Sequence, residues 1–198
     1  LLRDARRAAR HFDAAALKRR LARLRVKLTD RLAAPDPTVD QARDGIVRGN
    51  EVWNVDSYGN PAYGNDRSAD GIYVDGGRDI LIEGNTIHDV NIGIELASEH
   101  AGRSTRNVTA RNNLVYDSTA IGIAIGGYDR RRGRTEDCVI VNNTVVNTDG
   151  VELLVQFDTR NNVIANNVLV AGPRHVFVEN PYRENVGNVL EHNLYSSV

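Results

Sequence analysis

The sequence is short of several residue types, and each shortage excludes a class of protein. One of the 198 residues is Cys, so an internal disulfide framework is excluded. No apolar run reaches the roughly 18 residues of a membrane-spanning helix, so we expect no transmembrane segment. The 41% hydrophobic and 26% charged content is that of a globular chain, which excludes a largely disordered one.

Glycine and asparagine are missing from the first 34 residues, and Lys is missing after Lys27. Residues 1–34 hold eleven basic and three acidic side chains, which is net +8, whereas residues 35–198 are net −9. The overall charge of −1 therefore averages two unlike segments. That overall value is a misleading guide to binding partners, and no nucleic acid partner is expected.

The first segment has the pattern of a basic amphipathic α-helix ending before Pro35. Its leucines recur at three- and four-residue steps, which places them on one stripe: Leu17, Leu21, Leu24, Leu28 and Leu32. Two interpretations stay open. The stripe packs on the rest of the protein or a second copy as a cap, or the segment is an appendage that offers its basic face to an anionic partner.

After residue 41 a repeat appears, in which a short apolar run ends in Asn. The six Asn residues are Asn50, Asn85, Asn113, Asn143, Asn167 and Asn193. A second box of the type Gly-Ile-x-Val follows each of the first five, beginning at Gly71, Gly93, Gly122, Gly150 and His175. Strands this short pair with the same strand one repeat later, which predicts a stack of parallel coils. Cys138 falls in the place of Ile80 and Val108, so we expect it in the core.

These motifs resemble the repeat of right-handed parallel β-helix proteins, the group that includes pectate lyases and alginate epimerases. The resemblance implies an all-β fold of about five to six coils over residues 42–198, joined by a linker (35–41) to the basic helix (1–34). It also implies that the six Asn side chains form an internal hydrogen-bonded ladder. Such proteins act on polysaccharides outside the cell, so a secreted or cell-surface location is expected. The chain's opening at Leu1 and the small coil number suggest a fragment of a larger enzyme.

In the second box the x residues should point outward along one sheet. They are Tyr73, Glu95, Ala124, Glu152 and Phe177. Glu95 and Glu152 would lie two coils apart, about 9.6 Å at ~4.8 Å per coil. That spacing is near the upper limit, about 9.5 Å, for the two carboxyls of an inverting glycosidase. We therefore predict Glu95 and Glu152 as catalytic, with Tyr73 and Phe177 binding sugar and a small-residue gap between them.

Long loops follow the same sheet and supply further candidates. His100 and Arg130 are predicted as catalytic bases. The predicted substrate-binding residues in and beside these loops are Asp75, Glu99, Tyr128 and Asp129. The resemblance to pectate lyases implies Ca²⁺ as the one cofactor, and Asp70 and Asp75 are its predicted ligands because Ca²⁺ prefers carboxylate oxygens.

The function expected from these features is that of a polysaccharide lyase or glycoside hydrolase. Its polymer would bind along the Gly-Ile-x-Val sheet. A non-catalytic carbohydrate-binding or adhesin-type β-helix is the alternative. An enzyme predicts that Glu95, Glu152 and His100 converge, whereas a binding protein predicts aromatic rows without convergent acids. Nothing in the sequence determines the oligomeric state.

Overall fold

The computed structural model describes residues 42–173 and 175–197. The predicted basic helix (1–34) and linker (35–41) lie outside these described residues. Within them the chain is all-β, with one short 3-10 helix, Pro61–Tyr63. In this part of the chain, no helix has the length and apolar character needed to cross a membrane.

Nineteen strands form in the described residues, most of them three to six residues long. The first ten are β1 (Ile46–Arg48), β2 (Glu51–Val55), β3 (Asp70–Asp75), β4 (Arg78–Glu83), β5 (Thr86–Val90), β6 (Ile92–Ala97), β7 (Ser104–Arg111), β8 (Leu114–Tyr116), β9 (Ile121–Ile125) and β10 (Arg134–Glu136). The others are β11 (Val139–Val141), β12 (Thr144–Val146), β13 (Val151–Val155), β14 (Thr159–Arg160), β15 (Val163–Ala165), β16 (Val168–Ala171), β17 (Val176–Glu179), β18 (Val189–Glu191) and β19 (Leu194–Ser197).

The strands assemble into three parallel sheets, in which each strand pairs with its counterpart one coil later. Sheet A follows the order β1-β4-β7-β11-β15-β18, with β10 and β14 alongside. Sheet B contains β2-β5-β8-β12-β16-β19, and sheet C contains β3-β6-β9-β13-β17. Sheet C makes four coil-to-coil steps, so the structure supports a parallel β-solenoid of about four turns. The expected five to six coils are not confirmed.

The core is a column of aliphatic side chains enclosed by the three sheets. Ile87 of sheet B, Ile94 of sheet C and Ile140 of sheet A are fully buried. β-branched residues suit these positions because they pack well on a pleated surface. Cys138 is fully buried among them, as predicted, and burial raises the pKa of its thiol to about 12.

The corner between sheets A and B contains the predicted asparagine ladder. In each coil the Asn side-chain amide and backbone N–H both donate to Oδ1 of the next Asn, from Asn50 through Asn193, with Nδ2–Oδ1 distances of 2.9–3.0 Å. The residue before each ladder Asn has a positive φ, which Gly and Asn tolerate best. These residues are Gly49, Gly84, Asn112, Asn142, Asn166 and His192. The Asn-Asn pairs in the sequence therefore combine a corner residue with a ladder residue.

Candidate functional site

The outer face of sheet C has one continuous row of side chains across its five strands. Strand register places Tyr73, Glu95, Ala124, Leu154 and Glu179 side by side in that order. The first three agree with the sequence-based row. The last two differ from it because Val151 pairs with Ile121, which shifts the fourth coil by two residues.

Glu152 does not face outward, so its predicted orientation is wrong. The shift places it beside Gly122, at the corner where the chain enters sheet C. Its carboxylate is fully buried and accepts hydrogen bonds from Thr148 N at 3.1 Å and Thr148 Oγ1 at 2.6 Å. Burial raises its pKa. Glu95 and Glu152 therefore do not form the predicted pair across one face.

Phe177 is also placed differently from the prediction. It occupies the next coil beside Glu152, since Val176 pairs with Val151 and Val178 with Leu153. Its ring packs against the core and meets the Tyr195 ring edge-on, with centroids 5.8 Å apart. Packing on the core leaves this ring without the predicted outward orientation for a sugar.

The partner that the structure gives Glu95 is Asp70, the first residue of β3. The two carboxyl groups are near enough to influence each other's protonation, and Asp70 Oδ1 is buried with no other hydrogen-bond partner among the described residues. Burial and the neighbouring Glu95 raise the pKa of Asp70 to about 8, and burial raises the pKa of Glu95 as well. Two adjacent, partly buried carboxyls cannot both ionise easily, so this pair holds one proton near neutral pH.

Asp70 is held in place by the long loop that precedes it, residues 56–69. Asn91, which is fully buried, anchors both ends of this loop. Its Oδ1 accepts hydrogen bonds from Ser57 N at 2.9 Å, Ser57 Oγ at 3.1 Å and Ala69 N at 3.2 Å. One buried amide therefore sets the point at which β3 begins and where Asp70 projects. Sequence reasoning did not identify Asn91.

Replacing Asp70 should change how stability depends on pH. Folded Asp70 keeps its proton up to pH about 8, whereas the unfolded carboxyl releases it near 3.8. Between these values the folded state binds more protons, so the free energy of unfolding falls as pH rises. The free energy of unfolding should therefore decrease between pH 5 and pH 8, and we expect Asp70→Asn to make this decrease smaller by about 2 kcal/mol. Urea unfolding at both pH values measures it.

The unchanged protein is the reference for that comparison. His88 and Glu152 also have raised pKa values, so part of the pH dependence should persist in the variant. Equal slopes for the two proteins would show that Asp70 titrates normally in the folded state.

Tyr73 stands over the carboxyl pair with 37% of its surface exposed. Burial raises the pKa of its hydroxyl, and so do the surrounding carboxylates Glu95, Asp75, Glu99 and Asp70, in that order. The hydroxyl therefore stays protonated and is available as a hydrogen-bond donor. The predicted binding role of Tyr73 is consistent with this position and stays a prediction.

Asp75, Glu99 and His100 lie together at the end of β3 and β6. Asp75 Oδ1 accepts a hydrogen bond from Glu99 N at 2.8 Å, and Asp75 Oδ2 lies 3.4 Å from His100 Nε2. Arg132 forms an ion pair with the Glu99 carboxylate and donates to the Glu99 carbonyl at 3.3 Å. The Arg132 guanidinium and the His100 ring at this end of the site are therefore both in contact with carboxylates.

Arg130 does not join this group. Its guanidinium pairs with Glu184 at 2.6 Å and lies 5.9 Å from the centre of the Phe157 ring, beside later coils. Asp129 accepts from Arg131 N at 2.7 Å within the same loop, and Tyr128 is exposed. Arg132, two residues along, is the arginine of this loop that contacts Glu99. The catalytic role of Arg130 stays a prediction.

A metal site was expected at Asp70 and Asp75. Among residues 42–173 and 175–197, no group of three or more His, Cys, Asp or Glu side chains is arranged to hold a metal ion. The pKa of Asp70 is raised to about 8 by burial and by the neighbouring Glu95, and Asp75 already accepts from Glu99 N. These two residues alone are a poor fit for the six to eight oxygen ligands of Ca²⁺. The Ca²⁺ assignment stays a prediction.

Comparison with known proteins identifies the family. The family model described as "Right handed beta helix region" matches residues 37–132 and 65–197. Since these matches cover most of the chain, the protein belongs to the right-handed β-helix family. It is also 46% identical over 133 residues to the uncharacterized protein YwoF of Bacillus subtilis (strain 168). That alignment covers 65% of this chain but 28% of YwoF, so the chain spans less than a third of this relative. No solved structure matches the chain.

Proposed function

We propose that this β-helix is a carbohydrate-active enzyme that cleaves a polysaccharide lying along the outer face of sheet C. The observation that carries the proposal is the Asp70–Glu95 carboxyl pair, which holds a proton near neutral pH beside the exposed Tyr73. A carboxyl with a raised pKa is suited to give a proton to a leaving sugar oxygen. The ionised carboxylate of the pair is suited to accept a proton later in the reaction.

The charge around the pair favours a hydrolase acting on a neutral polymer over a lyase acting on a uronate. Lyase chemistry needs a cation to neutralise the uronate carboxylate. The cation beside this site, Arg132, is paired with Glu99, and the His100 ring lies against Asp75. A uronate would therefore meet unneutralised negative charge from the carboxyl pair. A neutral sugar would meet hydrogen-bonding groups without that repulsion.

The Asp70–Glu95 pair acts as a single general acid on one side of the glycosidic bond that is cleaved. Its two carboxyls are direct neighbours that influence each other's protonation, whereas the two groups of a glycosidase stand about 5–9.5 Å apart on either side of the sugar. The second group in this proposal is the Asp75–His100 pair at the end of the same strands. It activates a water molecule on the opposite side. A secreted or cell-surface location belongs to the same proposal, because polysaccharides are met there, and cell fractionation tests it.

The proposal is tested by incubating the protein with neutral and uronate polysaccharides, with and without Ca²⁺. Hydrolysis appears as new reducing ends, and lyase action as unsaturated ends with ultraviolet absorbance. We expect Glu95→Gln and Asp70→Asn each to lower the rate about 10²–10⁴-fold, the usual contribution of general acid–base catalysis. Activity of the unchanged protein should fall above pH about 8, where Asp70 loses its proton.

Asp149→Asn is the matched control, because Asp149 is an exposed carboxyl in the corner before β13. This variant should keep the activity of the unchanged protein. Full activity in both Glu95→Gln and Asp70→Asn would overturn the assignment of the pair. Products from uronates alone would identify a lyase and contradict the charge argument.

A non-catalytic carbohydrate-binding role is the second candidate, and one observation on sheet B favours it. Trp53, His88 and Tyr116 form a row of stacked rings on consecutive coils, with centroids 6.4 and 4.7 Å apart. Trp53 is 57% exposed. Sugar rings commonly bind against exposed aromatic side chains. Polysaccharide binding without any product, abolished by Trp53→Ala but retained in Glu95→Gln, would support this candidate over the enzyme.

A further inference from the structure

Glu95 has a second contact that spans two coils of the solenoid. Gln156 follows β13, two coils beyond Glu95, and its Nε2 donates to Glu95 Oε1 at 2.8 Å. Gln156 is buried, and its backbone N–H donates to the Ile125 carbonyl at 2.7 Å. The side chain therefore starts from a fixed backbone and reaches Glu95 across the intervening strand.

The intervening strand, β9, is shaped to let this side chain pass. The residue between Glu95 and Leu154 in the outer row is Ala124, and Gly126 lies two positions further along. Gly126 has a φ of +110°, and a Cβ there would stand 3.0 Å from Gln156 Cβ and 2.9 Å from Gln156 C. A larger residue at 126 would displace Gln156. The Gln156 side chain therefore passes through the small-residue gap that the sequence suggested for a sugar.

We propose that Gln156 is a positioning residue that fixes the Glu95 carboxylate and holds it as the ionised member of the pair with Asp70. A side-chain N–H can only donate, so it favours the charged form of the carboxyl that accepts from it. A donor held against Glu95 therefore favours the arrangement in which the proton of the pair lies on Asp70, where it can be given to a substrate. The catalytic consequence rests on the proposed function, whereas the effect on the pair itself does not.

The test is to replace Gln156 with Ala and to follow the Asp70 and Glu95 carboxyl carbons by NMR as a function of pH. Loss of the donor should raise the first ionisation of the pair by about one pH unit. Gln156→Asn should produce a similar shift, because its amide is one methylene too short to reach Glu95. Since Asn keeps a polar side chain at this position, the second variant also covers the case in which Gln156→Ala fails to fold.

Leu154→Ala is the control, because it shortens an outer-row side chain of the same strand without removing the hydrogen bond. It should leave the titration of the pair unchanged. If the proposed hydrolase activity is found, the acid limb of its pH–rate profile should move upward by the same amount in Gln156→Ala. A purely structural role would not produce that movement.

The two proposals fail in different ways. Titration curves for Asp70 and Glu95 that superimpose in the Gln156→Ala variant and the unchanged protein would overturn the role of Gln156. Absence of product from every polysaccharide, together with a shifted titration, would overturn the enzyme and leave the positioning of Glu95 supported.

Discussion

Asn143→Ala is expected to lower the free energy of unfolding by about 4 kcal/mol, because it removes the central rung of the ladder. Asn143 is fully buried. Its Oδ1 accepts from Asn113 N at 3.1 Å and Asn113 Nδ2 at 2.9 Å, and its Nδ2 donates to the Ala110 carbonyl at 3.0 Å. Ala would leave these groups buried without partners, and each such group costs about 1–3 kcal/mol. Urea unfolding followed by circular dichroism measures the effect.

The control for this variant is Asn193→Ala in the same ladder. Asn193 accepts from Asn167 N and Nδ2 in the same geometry, but it lies in the last coil and is partly exposed. Water can replace its hydrogen bonds, so we expect a loss of about 1 kcal/mol. Equal losses at the two positions would show that burial of the ladder does not determine its contribution.

Gly122→Ala is expected to cost about 3 kcal/mol, since the added methyl group has no room. A Cβ at this position would stand 2.3 Å from Val145 Cγ1 and 2.6 Å from the Glu152 carbonyl oxygen. The second contact is with backbone, which cannot turn away as a side chain can. Strands β9 and β13 would have to separate locally. Thermal and urea unfolding should both report the loss.

Gly45→Ala provides a matched comparison for that variant. A Cβ at Gly45 would meet only Ile80 Cγ1, at an ordinary 3.7 Å, and the backbone there is not left-handed. We expect a change within about 0.5 kcal/mol, or a slight gain from the stiffer unfolded chain. A large loss at Gly45 as well would mean that glycine is needed for backbone freedom and not for space.

The ladder and the core could be predicted from the sequence because each depends on a repeated residue at a repeated place. Every coil repeats the same short strand ending in Asn, so one rule applied to Asn85 applies equally to Asn167. Cys138 followed from the same register and is buried in the core. Repetition makes the pattern visible because neighbouring coils form the same contacts.

The row of outward-facing residues on sheet C was predicted correctly only in the coils whose Gly-Ile-x-Val boxes align at their first glycine. Gly150 was aligned with Gly122, but the structure places it against Ala120, where a Cβ would meet the Ala120 carbonyl oxygen. Glu152 therefore falls beside Gly122, at a corner where the Cβ direction points toward Val145 and Thr148. In a regular strand, a shift of two residues would leave the Glu152 side chain on the outward face. Here the strand bends at this corner, so the same shift leaves that side chain buried.

The candidate site was predicted in part. Glu95, Asp70, Asp75, Tyr73, Glu99 and His100 were singled out, and they do lie together at one end of sheet C. Their pairing was not foreseen. Asp70 was predicted to bind a metal, and Glu95 was predicted to form a catalytic pair with Glu152. Sequence spacing does not show where the long loop of residues 56–69 returns to the sheet.

By itself, the sequence determined the all-β repeat, the asparagine ladder and the core register of sheets A and B, since these arise from contacts between equivalent positions of successive coils. Only the tertiary structure decided the chemistry of sheet C. The Asp70–Glu95 pair and the Gln156 bond join non-equivalent positions, brought together by Asn91 and by the space at Ala124 and Gly126. No repeat encodes such contacts. The pKa of a carboxyl depends on how deeply it is buried and which charge faces it, and both are properties of the folded chain.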